Sequence, residues 1–159
     1  MSDPRDAIGE TTRRAVLGDA HVDRSIAAST EFGRPLLEYL TRAGWGDVWS
    51  RDGLDRRARS CVTLGVLVAL HAHEELAVHV RGAVRNGLTA SEISEVVLHT
   101  AVYAGIPAAA AALRVAERTL IEIGSLPEPP MGDNPTSPYP WSGMPTWRAV
   151  GSRRNGSWP

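Results

Sequence analysis

The sequence predicts an all-α domain of six to seven helices, followed by an irregular C-terminal extension. Three observations favour this fold class. Apolar residues recur at helical spacing through residues 1–126, glycines and prolines punctuate these periodic segments, and no stretch alternates long enough to build a sheet. With 159 residues in all, the chain is long enough for one domain with a sizeable core.

Local capping signals set the ends of the predicted helices. Pro4 and Gly18 bracket the first helix, because proline is favoured in a first turn and glycine after a last turn. Asp55 is a candidate N-cap, and Thr89 opens the capping-box sequence Thr-Ala-Ser-Glu. A compact aromatic turn is predicted over residues 44–49. In chain order, the helices are predicted over residues 4–17, 21–28, 32–43, 55–70, 73–86, 89–104 and 107–123.

The composition changes sharply after residue 126, so the domain boundary is predicted between residues 126 and 127. Residues 127–159 hold eight of the 11 prolines and three of the five tryptophans, and they have too little aliphatic content for a core of their own. Aromatic rings are costly to leave fully exposed. We therefore expect residues 139–147 to lie across the helical domain or a neighbouring subunit; the alternative is a disordered extension.

Charge and composition exclude several classes of function. The 17 basic and 18 acidic residues give a net charge of −1, which offers no general attraction to nucleic acid or a membrane surface. All the basic residues are arginines, so Schiff-base chemistry on a lysine is excluded. The single cysteine, Cys61, excludes an intrachain disulfide and is expected to be an inert buried thiol. The longest apolar run is too short to span a bilayer and the first residues lack a signal-type apolar stretch, so a cytoplasmic location is expected.

A histidine-rich stretch around residues 71–79 carries the first candidate site. The zinc-protease pattern needs two histidines four residues apart, but Ala77 stands four residues after His73, so no metal site is predicted. Glu75 and His79 are four apart and share a helix face. A carboxylate that holds an imidazole is typical of a general acid or base, while the alternative is a surface ion pair.

Two further sets of residues are candidates for binding a small molecule. Glu95, His99 and Tyr103 form a second ladder at four-residue spacing, either functional or a half-buried polar stripe. The arginines of the first segments and of the His79 helix make an anionic ligand possible, and guanidinium groups can bind a carboxylate bidentately. They are Arg13, Arg14, Arg24, Arg81 and Arg85.

A series of short motifs resembles one family over about residues 10–123. The series comprises Arg-Arg-Ala-Val-Leu-Gly-Asp-Ala-His-Val-Asp-Arg at 13–24, Trp-Gly-Asp-Val-Trp at 45–49, Arg-Ser at 59–60, and the segments 74–81, 86–89 and 95–109. In this order they resemble 4-carboxymuconolactone decarboxylases, of the alkyl hydroperoxidase D-like superfamily. The resemblance implies a bundle-like all-α fold, a homo-oligomer (trimer or hexamer) and no cofactor.

The resemblance also separates two activities within the superfamily. The peroxidase members use a redox Cys-x-x-Cys pair ahead of a histidine, and this chain has Ala72 and Glu75 at those positions, with His79 matching the histidine. A dithiol peroxidase needs two thiols, so that activity is excluded. The implied activity is a carboxy-lyase that converts 4-carboxymuconolactone to 3-oxoadipate enol-lactone and CO2, in protocatechuate breakdown.

The implied reaction assigns roles to residues within the matching motifs. His79, oriented by Glu75, is predicted to donate the proton or bind the developing oxyanion, and His21 is the second candidate. The lactone accepts the electrons itself, so no cofactor is expected. The predicted substrate contacts are Arg24 or Arg81 for the retained carboxylate, Trp45 and Trp49 for an apolar wall, and, with weaker support, His99 and Tyr103.

Two other readings of the function stay open at this point. The scaffold can have been recruited for another lactone or for a polyketide-like substrate in a biosynthetic pathway. It can also be a non-enzymatic small-ligand-binding or assembly protein whose site is vestigial; the retained polar motif positions argue weakly against this.

Overall fold

The computed structural model describes residues 3–128, and these form seven α-helices and one π-helical segment without any strand. The predicted all-α class is confirmed. The proposed boundary after residue 126 stays a prediction, and the expectation for residues 139–147 lies outside the described residues. The elements are α1 (Pro4–Leu17), α2 (Asp19–Ala27), α3 (Arg34–Tyr39), π1 (Leu40–Trp49), α4 (Arg56–Ala69), α5 (His73–Arg85), α6 (Ala90–Ala104) and α7 (Ile106–Glu122).

The predicted helix starts at Asp55 and Thr89 are confirmed by their capping hydrogen bonds. The Asp55 carboxylate accepts from the backbone N–H of Ala58 at 2.7 Å. The Thr89 hydroxyl accepts from the backbone N–H of Glu92 at 3.2 Å, and the Glu92 carboxylate accepts from the Thr89 N–H at 2.8 Å. Each cap satisfies amide groups that have no partner within the helix.

The aromatic turn predicted over residues 44–49 is wrong. After one α-helical turn and a half, the chain continues as π1, whose ten residues place Trp45 and Trp49 inside a helix. The π-helix is rare in proteins overall, but where it occurs it often lies at a functional site. Gly46, one of the glycines in the predicted turn, allows two helices to pack closely instead. A Cβ at Gly46 would lie 2.6 Å from the Arg5 carbonyl of α1, and one at Gly9 would collide with the Thr41 carbonyl of π1.

Two apolar clusters hold the helices together. The larger one joins α4, α5, α6 and α7 around fully buried side chains such as Leu64, Leu76 and Ile93. Each such side chain stabilises the fold by about 1.5–3 kcal/mol relative to an exposed one. The smaller cluster joins α1, α2 and π1 through Val16, Leu17, Val22 and Trp45, with Trp49 and Val78 packed against it.

The smaller cluster positions the candidate site, because it fixes the α1–α2 junction against α5. None of the helices within residues 3–128 is both long and apolar enough to cross a membrane.

Candidate active site

A cavity of about 640 Å³ opens between the α1–α2 junction, α5 and the chain that follows α7. We call it the cationic cavity, because three arginines and a histidine line it. Its floor is apolar. The lining residues are Leu17, Gly18, Ala20, His21, Arg24, Val78, Arg81, Val84, Arg85, Ile123 and Ser125.

The α1–α2 junction presents His21 to this cavity. Gly18 ends α1 with φ +88°, a conformation that side chains strongly disfavour, and its N–H donates to the Arg14 carbonyl at 2.8 Å. A Cβ at Gly18 would also lie 2.6 Å from Nη2 of Arg85. Glycine therefore allows both the sharp change of direction and the approach of a guanidinium to the junction.

His21 is a neutral imidazole near pH 7. Burial lowers its pKa below the ordinary value of 6.5, and the positive charges of Arg13, Arg24 and Arg81 lower it further. A neutral imidazole still has one N–H that can donate a hydrogen bond. It carries no positive charge, so the neighbouring guanidinium groups do not repel it. That combination suits a hydrogen bond to an oxygen that becomes negative during a reaction.

The three arginines of the cavity differ in whether their guanidinium groups already have partners within the protein. Arg81 is held by an ion pair with Glu122, at 2.6 Å, and by a hydrogen bond to the Ala77 carbonyl at 3.1 Å. Within residues 3–128, Arg24 and Arg85 make neither an ion pair nor a side-chain hydrogen bond, and both are exposed. Their guanidinium groups are available to an anionic ligand.

The sequence placed Arg85 among the candidate anion-binding arginines but did not single it out as a substrate contact. Arg81 and Arg85 are four residues apart on α5, so they share a face of the helix. The predicted contact Arg81 implied its neighbour one turn later.

His79 lies behind the cavity wall, in an aromatic stack. Its ring is parallel to Trp45, with centroids 6.2 Å apart and an interplanar angle of 8°, and it lies 6.3 Å from Trp49. The two indoles are 5.0 Å apart. Trp45 is only 4% exposed, and its Nε1 has no hydrogen-bond partner among the described residues. Val78 packs against the apolar cluster that contains Trp45, and it also lines the cavity.

The carboxylate of Glu75 influences His79 only through space. Within residues 3–128 the two side chains share neither a hydrogen bond nor an ion pair, and Glu75 is exposed. Burial lowers the pKa of His79, the charge of His21 lowers it further, and the Glu75 carboxylate opposes both. The roles predicted for this pair stay predictions.

His99 and Tyr103 lie in a different place, a groove of about 840 Å³ between α4 and α6. We call it the apolar groove. Their rings are 5.1 Å apart, and Tyr103 is 78% exposed. Cys61 also lines this groove. The structure therefore does not bring His99 and Tyr103 to the cavity that holds His21.

Within residues 3–128, no group of three or more His, Cys, Asp or Glu side chains is placed to hold a metal ion. His71 and His73 approach each other edge to face, with ring centroids 6.2 Å apart.

An all-α fold with a small cationic cavity, a histidine in its lining and an adjoining aromatic stack suits a protein that binds a small anionic molecule. Residues 34–118 match the carboxymuconolactone decarboxylase family, and the chain belongs to this family. The family predicted from the motifs is thereby confirmed.

Two characterised relatives cover most of the chain. A 4-carboxymuconolactone decarboxylase of Acinetobacter baylyi is 42% identical over 120 residues, which are 76% of this chain and 90% of the relative. A nitrosuccinic acid decarboxylase of Metarhizium robertsii is 45% identical over 112 residues, 70% of this chain and 78% of the relative. Both relatives are decarboxylases, in agreement with the carboxy-lyase activity predicted from the sequence.

Proposed function

We propose that the protein is a cofactor-independent decarboxylase of a dicarboxylate, and that its substrate is 4-carboxymuconolactone. The cationic cavity carries the proposal, since it combines two uncommitted arginines with a neutral histidine over an apolar floor. The 42% identity to a 4-carboxymuconolactone decarboxylase over 90% of that protein's length supports this choice of substrate.

The two carboxylates of the substrate have different fates. The acetate-arm carboxylate is retained, and Arg24 and Arg85 are the groups free to bind it as charge-assisted hydrogen-bond donors. The ring carboxylate leaves as neutral CO2, so an apolar environment favours its departure. Val78 and Val84 supply that surface in the cavity, and Trp45 and Trp49 support it from behind.

The electron pair of the breaking C–C bond moves through the ring double bond into the lactone carbonyl. The intermediate is a dienolate whose negative charge lies largely on this oxygen. His21, with its N–H at the cavity, is the proposed donor to the oxyanion, a contribution worth about 10²–10³-fold for a single donor. Protonation of the ring carbon beside the carbonyl then gives the enol-lactone.

His79, which the sequence placed first, is in this proposal the second candidate for moving this proton. Its ring is fixed by two indoles but does not line the cationic cavity, whereas His21 does. Glu75 would act through its charge, which favours a proton on His79.

A second candidate substrate is nitrosuccinic acid, favoured by the relative of that specificity at 45% identity. It also has two carboxylates, one beside the nitro group and one a carbon further away. Loss of the first leaves electrons that the nitro oxygens accept as a nitronate. The same arrangement of arginine anchor, apolar wall and neutral hydrogen-bond donor serves both molecules.

A spectrophotometric assay distinguishes the two substrates. 4-Carboxymuconolactone is generated enzymatically in the cuvette, and its disappearance and CO2 release are followed with and without the purified protein. Nitrosuccinate is tested in parallel under identical conditions. We expect turnover of the lactone with kcat/KM well above that for nitrosuccinate; the reverse order would assign the second function, and no turnover of either would contradict a decarboxylase of this class.

Self-association through the apolar groove belongs to the same proposal. Val102, Tyr103 and Ile106 are each more than three-quarters exposed around α6 and the start of α7. Apolar faces of this kind are typical of protein interfaces, which supports the predicted trimer or hexamer. A cytoplasmic location is proposed with it.

A further inference from the structure

Arg13 is a cation in the protein interior. The residue is only 5% exposed, whereas its neighbour Arg14 keeps 29% of its side chain accessible. Its Nη2 donates to the Ser25 hydroxyl at 2.7 Å, and its buried Nε has no partner. Among residues 3–128 no carboxylate forms an ion pair with it.

The hydrogen bond to Ser25 fixes where this charge lies. Ser25 is four residues after His21 on α2, so the two side chains share a face of that helix. Arg13 reaches them from α1, across the α1–α2 junction. The guanidinium is thereby held beside His21 on the protein side, while the cationic cavity lies on its open side.

Folding alone gives no reason for such an arrangement. A buried charge without an opposite partner destabilises the folded state, and a guanidinium does not escape this cost by losing its proton. The charge of Glu10 favours the cation, but the charge of Arg14 opposes it and burial opposes it most. An interior charge that costs stability beside a ligand cavity points to a functional role.

We propose that Arg13 is a positioning residue of the decarboxylase site: its buried charge, anchored on Ser25, holds His21 as a neutral hydrogen-bond donor that faces the cavity. Arg13 does not line the cationic cavity, and its Nε is buried, so it acts through its field and not by touching the substrate. The catalytic part of this inference rests on the proposed function, whereas the effect on His21 does not.

Other charged groups also face His21, and the test has to separate them. Arg24 stands on the same helix, and Arg81 and His79 come from α5. Arg13 is the arginine among these that is buried, at 5% exposure, and that forms no ion pair within residues 3–128, so screening by salt affects it least.

The experiment compares four variants of the full chain. Arg13→Met removes the charge and keeps the apolar volume; Arg13→Lys keeps a cation. Ser25→Ala removes the anchor. Arg118→Gln is the control, since it removes an exposed arginine of α7 that lines neither the cationic cavity nor the apolar groove. For each, the NMR titration of His21, the thermal midpoint and the pH profile of kcat/KM are measured.

We expect His21 in Arg13→Met to titrate at a higher pH than in the wild type, with the acid limb of the kcat/KM profile moved in the same direction. The thermal midpoint is expected to stay or rise, because an unpaired interior charge has been removed. kcat/KM is expected to fall by about tenfold at neutral pH, less than the roughly 10²–10³-fold for a direct oxyanion donor. We expect Arg13→Lys to show a smaller change than Arg13→Met, Ser25→Ala to show a partial change, and Arg118→Gln to show none.

A lower thermal midpoint for Arg13→Met, with an unchanged titration of His21, would overturn the proposal and make Arg13 a structural residue. The titration is measured without substrate, so it is independent of the reaction. A different outcome is that the protein turns over neither 4-carboxymuconolactone nor nitrosuccinate while Arg13→Met still shifts the titration of His21. That result would support the electrostatic effect of Arg13 on His21 and contradict the proposed function.

Discussion

The cationic cavity and the apolar groove each contain a histidine, yet only one of them is arranged for chemistry. The groove is the larger, at about 840 Å³ against 640 Å³. Its histidine, His99, has an exposed tyrosine ring beside it, whereas His21 lies among the positive charges of Arg13, Arg24 and Arg81. Size does not identify the site; the charge around the imidazole does, because that charge sets its protonation state and its anionic ligand.

The same comparison explains why the groove suits a protein surface. Val62 and Val66 of α4 line the groove and are at least half exposed. A monomer gains nothing from exposed aliphatic side chains, while an interface buries them. We therefore propose that the cavity binds a small anion and that the groove is a protein interface.

Replacement of the two histidines tests this contrast most strongly. His21→Asn is expected to lower kcat/KM for the lactone by about 10²–10³-fold, the range of a single oxyanion donor. His99→Asn is the matched control from the groove, with kcat/KM expected within a few-fold of the wild type. Steady-state kinetics measures kcat/KM of both variants, and circular dichroism checks that both remain folded.

Equal losses in the two histidine variants would mean that the groove contributes to catalysis. A near-normal His21→Asn that remains folded would transfer the principal role to His79.

The arginines give the next largest effect, and they act on binding. Arg24→Gln and Arg85→Gln each remove a charge-assisted hydrogen bond, which is worth about 1.5–3 kcal/mol and so corresponds to a rise in KM of about ten- to a hundredfold. kcat is expected to change less. Arg118→Gln is the control, since Arg118 is exposed on α7 and lines neither region. An unchanged KM in both cavity variants would place the retained carboxylate elsewhere.

Most of the fold follows from local signals in the sequence. Pro4, Asp55 and Thr89 act within one helical turn, and helix starts of this kind appear in the structure at or next to the predicted residue. π1 does not follow from local signals. Gly9 and Gly46 permit α1 and π1 to touch, and that reason involves residues distant in the chain.

The candidate site divides in the same way. His21, Arg24 and Arg81 stand in motifs that resemblance identifies, and the fold brings them to one cavity. Sequence spacing did not reveal that His99 lies apart from them, because helix contacts between α4 and α6 decide it. The burial of Arg13 was equally invisible, since an arginine in an amphipathic helix is usually solvated.

The two lowered histidine pKa values predict how stability depends on pH. His21 and His79 both titrate below the value of 6.5 that they have in an unfolded chain. As the pH falls below about 6.5, the unfolded chain binds protons that the folded chain does not, so the free energy of unfolding decreases. The contribution is fully present above that pH and is lost as the pH falls through the folded pKa values.

Thermal unfolding between pH 8 and 5 measures this effect, and the double variant His21→Gln, His79→Gln is expected to show a flatter dependence than the wild type. The dependence of His99→Gln should match the wild type. A parallel dependence in the double variant would show that other groups govern acid stability.

Charge on the exposed apolar face of α6, beside the apolar groove, should affect assembly more than catalysis. Val102→Asp places a carboxylate on a side chain that is 79% exposed, so the fold tolerates it while an interface does not. Sedimentation is expected to show a smaller assembly, with helical circular dichroism retained. Glu74→Asp, at an exposed position of α5, is the control. An unchanged assembly in Val102→Asp would exclude this face as the interface.

The smallest effect is expected from Cys61, and it sharpens the comparison because this thiol lines the groove rather than the cavity. Cys61 is partly buried and unpaired among the described residues. Dithiol chemistry needs a resolving partner, and Ala72 and Glu75 occupy the two positions where the superfamily's peroxidases carry thiols. Cys61→Ser is therefore expected to keep kcat/KM within a few-fold and to leave peroxide consumption at background. If Cys61→Ser lowered kcat/KM as much as His21→Asn does, the apolar groove would contribute to catalysis, and the proposed division of roles between groove and cavity would be wrong.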